Sequence, residues 1–299
     1  MTSSALVARR RAVASGPPSW PLPPPLAALR SEVRARLERI PTRLNEYGVD
    51  AFGLDPRWGL PFLLTLALVY RYWLRVETHG LERVPPDRVL LIANHAGNTF
   101  AWDGAMLAMA LLLEGQPPRV VRGMAEHYLP EIPFFNVFMH RMGSVVGTPE
   151  NCTQLLEAGE AIMVFPEGRR GFVKPWRERY RLRRFGLGFM RLALETQTPI
   201  VPVGIVGSEE QSPGLANVPW LGRLIGAPAF PITPLFPWLG LAGFLPLPVK
   251  FRLHFGEPLL FEGDADEDDA AIEQRVALVK REVGALVAEG RATRRSWFA

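Results

Sequence analysis

Cysteine is almost missing from this chain. Cys152 is alone among 299 residues, which excludes an internal disulfide framework and any clustered thiolate metal site and points to a reducing compartment. A lone thiol of this kind is expected to be a half-buried free thiol. Nucleotide phosphate loops are missing too, since neither GxxxxGK[ST] nor GxGxxG occurs. There is no GxSxG elbow, and the GIVGS segment ending at Ser208 has the wrong spacing for a nucleophilic serine. The histidines His79, His95, His127, His140 and His254 are scattered without HExxH or comparable ligand spacing, so no metal is expected. The first 26 residues hold no apolar stretch long enough for a signal-peptide core. They carry Arg9, Arg10 and Arg11 and then six prolines between positions 17 and 25, and read as a disordered tail.

Two charge-free runs come closest to a membrane span, and both fall short. Trp58 to Tyr70 (WGLPFLLTLALVY) has 13 residues, about 20 Å as a helix against the roughly 30 Å of a bilayer core. Trp58, Tyr70, Tyr72 and Trp73, flanked by arginines, give the composition of a helix lying at a membrane interface, with a buried helix of a soluble core as the alternative. Leu224 to Val249 is long enough, yet Pro228, Pro231, Pro234, Pro237, Pro246 and Pro248 rule out a regular helix. Its Phe230, Phe236, Trp238, Leu239, Leu241, Phe244 and Leu245 are expected on an irregular segment that covers the core or enters lipid.

What is present suits one large α/β domain, because 48% apolar residues can fill a sizeable core. From Ala27 to about Tyr47, Val33, Leu37, Ile40 and Leu44 recur at helical spacing, with Pro41 as a kink or break. Five short apolar runs predict buried strands at 89–93 (VLLIA), 119–122, 161–165 (AIMVF), 200–206 (IVPVGIV) and 250–255. Segments of helical character separate several of them, which argues a mainly parallel sheet with helices on its faces. Ile272, Val276, Val279, Val283 and Leu286 predict a closing helix over about 270–290. The expected organisation is a tail over 1–26, membrane-associated helices over 27–74, and an α/β domain over 75–299.

Net charge is only +4, but Arg169, Arg170, Lys174, Arg177, Arg179, Arg181, Arg183 and Arg184 crowd one stretch, alternating with Phe172, Trp176 and Tyr180. Such a stretch suits anionic lipid headgroups, nucleic acid, or a merely solvated face. Nucleic acid is set aside, because the long apolar runs have no role there. The acidic run from Glu262 to Asp269 reads as the charged lead-in to a helix.

In open α/β sheets ligands bind beyond the carboxyl ends of the strands. The strand at 89–93 runs into Asn94, His95, Ala96, Gly97 and Asn98; that at 161–165 runs through Phe165 into Pro166, Glu167, Gly168, Arg169 and Arg170. Both are expected to face one crevice. A histidine followed closely by a carboxylate suits a general base, since the carboxylate fixes the tautomer and stabilises the imidazolium. Asp103 is the partner to expect for His95. Glu167, Arg169 and Arg170 on a glycine-containing turn suit a polar or anionic acceptor, with a simple surface turn as the alternative.

IANHAGNTFAWDGAM at 92–106 together with VFPEGRRG at 164–171 resembles the glycerolipid acyltransferases of the PlsC-like superfamily. IPFFNVFMHRMGSV at 132–145 and PIVPVGIVGSEE at 199–210 follow in the expected order, so the resemblance covers roughly 75–260. The family's first motif places four residues between histidine and aspartate; here seven separate His95 from Asp103, and Phe100 stands where the aspartate usually falls. On an unbroken helix those side chains would lie about 80° and two turns apart, so the segment must bend near Gly97 and Asn98. The resemblance implies acceptor binding by Glu167 and Arg170, with Arg169 in place of the usual threonine, and donor binding or a structural role for Val201 to Gly204. It implies acyl transfer from acyl-CoA or acyl carrier protein to a lysophospholipid or neutral glycerolipid hydroxyl. His95 would be the base, with no bound cofactor and a place on the cytoplasmic face of a membrane. A noncatalytic lipid-binding protein on the same fold is the alternative.

Overall fold

The computed structural model describes residues 24–126, 129–131, 134–224 and 229–298. The tail expected over 1–26 lies outside these residues except for 24–26, which already belong to the first helix. In chain order the elements are α1 (Pro24–Leu37), α2 (Pro56–Leu68), β1 (Glu77–His79), β2 (Val89–Ala93), α3 (Trp102–Leu113) and β3 (Val121–Ala125). Next come α4 (Phe135–Arg141), β4 (Val145–Val146), α5 (Pro149–Glu157), β5 (Ala161–Val164), α6 (Arg169–Phe172) and α7 (Gly188–Thr196). The remainder are β6 (Ile200–Val206), β7 (Ala216–Asn217), α8 (Pro219–Leu224), β8 (Pro231–Ile232), β9 (Arg252–Phe255) and α9 (Asp269–Thr293).

Seven strands form one sheet in the order β1-β9-β6-β2-β5-β3-β4. From β6 to β4 the neighbours are parallel, β9 runs antiparallel to β6, and β1 is parallel to β9. The architecture is therefore α/β with a mainly parallel central sheet flanked by helices. Strand β2 lies at its centre and every one of its residues is buried, which is why VLLIA shows no polar alternation. Val89, Leu91 and Ala93 join the core under α1, α2 and α3, whereas Leu90 and Ile92 join the core under α5, α7 and α9. Gly204 in β6 lets α9 close on the sheet, since a Cβ there would stand 2.7 Å from the backbone of Leu286 and Val287.

The N-terminal helical reading needs correction. Helix α1 stops at Leu37 rather than near Tyr47, consistent with Pro41 disfavouring helical backbone at the residue before it. Leu29 and Val33 are buried one turn apart, but Leu44 is exposed. Asp55 caps α2 by accepting from the Trp58 amide at 3.0 Å, and Pro56 begins its first turn. The helix ends in a π-turn over Val69–Trp73. Leu66, Ala67 and Tyr70 turn inward while Trp58, Tyr72 and Trp73 stay exposed. Among the described residues no helix is long and apolar enough to cross a membrane. The strand expected at 119–122 lies at 121–125, and those expected at 161–165 and 250–255 are shorter, at 161–164 and 252–255.

Candidate active site

Because β2 and β5 are paired neighbours, with Ile92 opposite Val164, the residues leaving their carboxyl ends meet. His95 stacks on Phe165, ring centroids 4.3 Å apart, and Phe172 lies 5.0 Å away on α6. The two segments singled out in the sequence thus meet at the ends of adjacent strands.

The seven residues between His95 and Asp103 do not form a helix. Asn98 adopts left-handed backbone at φ 57°, the Thr99 amide donates back to the Gly97 carbonyl at 2.6 Å, and α3 begins only at Trp102. This turn brings Asp103, in the first turn of α3, back to His95: Nδ1 lies 2.7 Å from Oδ2. The same carboxylate accepts from the Ala96 amide at 2.7 Å and the Gly104 amide at 2.8 Å. A carboxylate already serving as acceptor fixes Nδ1 as the protonated nitrogen and leaves the Nε2 lone pair for another partner. The Asp103 side chain is fully buried, and the His95 side chain keeps 13% exposure. The pair can therefore take up a proton at Nε2 while the buried carboxylate holds the ring.

Gly97 cannot be larger here. A Cβ would stand 2.6 Å from the Phe100 carbonyl oxygen and 2.7 Å from Cε2 of Phe172. Phe100 packs edge-on against Trp102 at 5.0 Å and carries no polar role. Of the amides at 95–99, those of His95, Ala96, Asn98 and Thr99 are engaged by Glu167, Asp103, Phe172 and Gly97. The Gly97 amide has no partner among the described residues.

The other sequence candidates divide into braces and exposed groups. Asn94 is buried and clasps the backbone of Ile205, donating to its carbonyl at 3.0 Å and accepting from its amide at 2.7 Å. Asn98 donates to the Ser212 carbonyl at 2.7 Å. The Pro166 carbonyl accepts from the Gly186 amide at 2.9 Å, and Gly168 turns the chain into α6 with φ 53°. Glu167 is buried with all its acceptor capacity directed inward: it accepts from the His95 amide at 3.0 Å, the Arg183 amide at 2.7 Å and Lys174 Nζ at 3.4 Å. Arg169 and Arg170 are exposed and have no partner among the described residues. Val201 to Gly204 lie inside β6, wholly buried.

A family model for acyltransferases matches residues 75–206. An uncharacterized protein of Mycobacterium leprae is 41% identical over 254 residues, covering 83% of this chain and 69% of that one. The chain belongs to the acyltransferase family. The human DGAT1/2-independent enzyme synthesizing storage lipids is 26% identical over 204 residues, 67% of this acyltransferase and 58% of the human protein. The crystal structure of the 1-acyl-sn-glycerophosphate acyltransferase PlsC from Thermotoga maritima aligns with a TM-score of 0.45 at 19% identity, covering 88% of this chain and 97% of that one.

Several residues around the His95–Asp103 pair escaped the sequence reading. Lys174, counted there with the basic stretch, is buried between Glu167 and Glu209, with Nζ 3.0 Å from Glu209. Burial pushes the Glu209 carboxyl above its ordinary range even with that ammonium beside it. Gln211 donates from its side chain to the Gly97 carbonyl at 3.1 Å. Tyr180, also within the basic stretch, is buried and hydrogen-bonds Glu210, whose carboxylate meets Arg294 at 2.7 Å. Burial and Glu210 both push the Tyr180 phenol up. The remaining cations of that stretch are peripheral: Arg183 pairs Glu178, Arg184 pairs Glu273 at 3.1 Å, and Arg179 lies over Trp176 at 4.4 Å. The one signal that would have separated Lys174 and Tyr180 from the rest is the acidic pair Glu209 and Glu210, directly after the longest strand. Cys152 is buried, its thiol pushed up to about 11 by that burial.

Proposed function

We propose that this acyltransferase moves a fatty acyl group from the thioester of acyl-CoA or acyl carrier protein to a hydroxyl of a glycerolipid. The observation that carries the reading is the His95–Asp103 pair, with Nδ1 held at 2.7 Å and Nε2 left as the proton acceptor in a crevice beside exposed arginines. His95 takes the acceptor hydroxyl proton as that oxygen attacks the thioester carbonyl; the tetrahedral intermediate then collapses, expelling the thiolate, which takes the proton from the imidazolium. No covalent bond to the enzyme is needed. We assign the unpartnered Gly97 amide as the donor to the oxyanion, because it is the one amide of 95–99 without a partner among the described residues. Asn94, Asn98, Glu167 and Gln211 hold the turn rather than touch the acceptor, and Arg169 and Arg170 meet an anionic headgroup or the donor's phosphates. The relative named for storage-lipid synthesis favours keeping neutral glycerolipids among the acceptors. The exposed Trp58, Tyr72 and Trp73 favour work at a lipid surface.

The test is acyl transfer from radiolabelled palmitoyl-CoA, and from the acyl carrier protein thioester, to lysophospholipids and to mono- and diacylglycerols. General-base catalysis contributes about 10²- to 10⁴-fold, so folded His95→Ala is expected to lose at least that much turnover, and Asp103→Ala a large part of it. Wild-type turnover in folded His95→Ala would sink the assignment. Arg170→Ala is expected to raise KM for a phosphorylated acceptor and leave kcat largely intact; an unchanged KM for every acceptor and donor would remove Arg170 from binding.

A further inference from the structure

Residues 207–251 leave the sheet between β6 and β9, and from Leu224 to Val249 they contain no charged side chain. Folded, this connection does not hide its apolar content. Trp220, Leu224, Trp238, Leu239, Leu241 and Leu245 are each more than half exposed, and Leu241 reaches 88%. Single exposed leucines are ordinary on protein surfaces; a run of them on one short turn is not. The turn over 240–244 is propped from beneath by aromatic rings, Phe236 against Phe244 and Phe230 against Phe236, both at 5.2 Å. Its tip is therefore presented outward by a built scaffold.

That scaffold is tied to the catalytic turn twice. The Trp102 indole donates to the Phe244 carbonyl at 2.9 Å, and Trp102 directly precedes Asp103. The Leu247 amide donates to the Gln211 carbonyl at 2.8 Å, while the Gln211 side chain donates to the Gly97 carbonyl at 3.1 Å. A third tether, the Trp73 indole on the Pro246 carbonyl at 2.8 Å, joins it to the exposed end of the N-terminal helices.

We propose that residues 234–247 form a membrane wedge whose apolar tip enters the outer hydrocarbon of an anionic bilayer and holds the His95 crevice at the lipid surface. The proposal rests on the reading that the acceptor is a lipid. Three observations favour a bilayer over a protein partner. The tip is aliphatic on irregular backbone, and tryptophans border it at Trp73 and Trp238, the side chain suited to the headgroup boundary. The exposed cations Arg177, Arg179 and Arg181 lie close to its root, where the Trp176 amide donates to the Gly214 carbonyl at 2.8 Å. That charge complements anionic headgroups, which attract such residues near a surface. The third is the coupling to the catalytic turn, which places the wedge where a lipid-embedded hydroxyl must be delivered.

The experiment is co-sedimentation of the full chain with vesicles of phosphatidylcholine and phosphatidylglycerol, comparing wild type, Leu239→Asp/Leu241→Asp, and Leu260→Asp. Leu260 is an exposed leucine next to Leu259, which pairs with Ile200 at the opposite end of the parallel strands. Each aspartate at the tip is expected to weaken partition about tenfold or more, so the double variant should bind about 100-fold less well and Leu260→Asp within about twofold of wild type. Transfer to a dissolved short-chain acceptor without vesicles should persist in the double variant, while transfer to a vesicle-embedded acceptor falls with binding. Vesicle binding unchanged in the double variant would overturn the wedge. So would a wild-type dimer that does not bind vesicles and that the double substitution dissociates, since the tip would then belong to a second copy. If no variant transfers to the dissolved acceptor, the acyl-transfer reading fails, and vesicle binding still decides the wedge.

Discussion

Lys174 is the residue whose removal tests most directly how the turn from His95 to Asp103 is held. Its ammonium, with a side chain 1% exposed, stands 3.0 Å from Glu209 and 3.4 Å from Glu167, both almost wholly buried. At the effective dielectric suited to protein sites each attraction is about 5 kcal/mol before desolvation is counted. Desolvation cancels much of it, but removing one partner of a buried pair typically costs about 3–5 kcal/mol because a charge is left behind. Lys174→Met leaves two carboxylates facing each other. Glu167 keeps its two amide donors, so Glu209, already pushed up by burial, is the one expected to take a proton. Thermal and urea unfolding of Lys174→Met should therefore show a loss of about 3 kcal/mol or more, of which Glu209→Gln in the same chain recovers the greater part. Because Glu167 also holds the His95 amide, kcat should drop more than KM rises. A loss under about 1 kcal/mol, or no recovery on adding Glu209→Gln, refutes the view that this ion cluster fixes the turn.

Gly97→Ala is expected to cost about 1–3 kcal/mol of stability from overpacking against Phe100 and Phe172, with a larger fractional loss of kcat; melting temperature and steady-state kinetics check both, and unchanged turnover would show the turn to be slack. His254 supplies a pH dependence. Burial, with the neighbouring His79 and Arg252, lowers its pKa below the ordinary value of 6.5, and Glu289 only partly opposes this. The unfolded chain then binds a proton that the native state refuses, so stability falls as pH drops below about 6.5. Replacing His254 by Gln should shrink the difference in melting temperature between neutral and mildly acidic buffer, and an equal difference in both proteins would remove His254 as its source.

The legible parts of this fold are those where burial is complete. VLLIA and IVPVGIV announce β2 and β6 because both faces of those strands are covered, and Ile272, Val276, Val279 and Val283 announce α9 because one stripe is, although that stripe goes on to bury Val287 rather than the expected Leu286. Edge elements are quiet: Glu77-Thr78-His79 forms β1 with polar side chains, and β4 is only two residues long. Pairing in both comes from neighbours far away in the chain. The meeting of His95 with Asp103 was legible once a bend at Gly97 and Asn98 was required, because no helix can join them. The inward orientation of Glu167 was not legible. Its partners are two backbone amides and a lysine, and the segment GFVKPWRERY gives no sign that one of its cations is buried while the others face solvent.

The lengthened spacing between His95 and Asp103 acquires a physical meaning from what holds it. The added residues are not slack, since Asn98 is fastened to Ser212, Gly97 to Gln211, and the Asn98 amide to the Phe172 carbonyl. Two of these three anchors belong to the stretch just after β6, the root of the apolar connection. A four-residue spacing could reach aspartate along one helical turn and would need no such support. A seven-residue spacing must be held from outside, and here the support comes from the segment that also carries the exposed apolar tip. Loosening that segment should therefore reach the His95–Asp103 distance through Gly97 and Trp102, even though no residue of the tip touches either side chain.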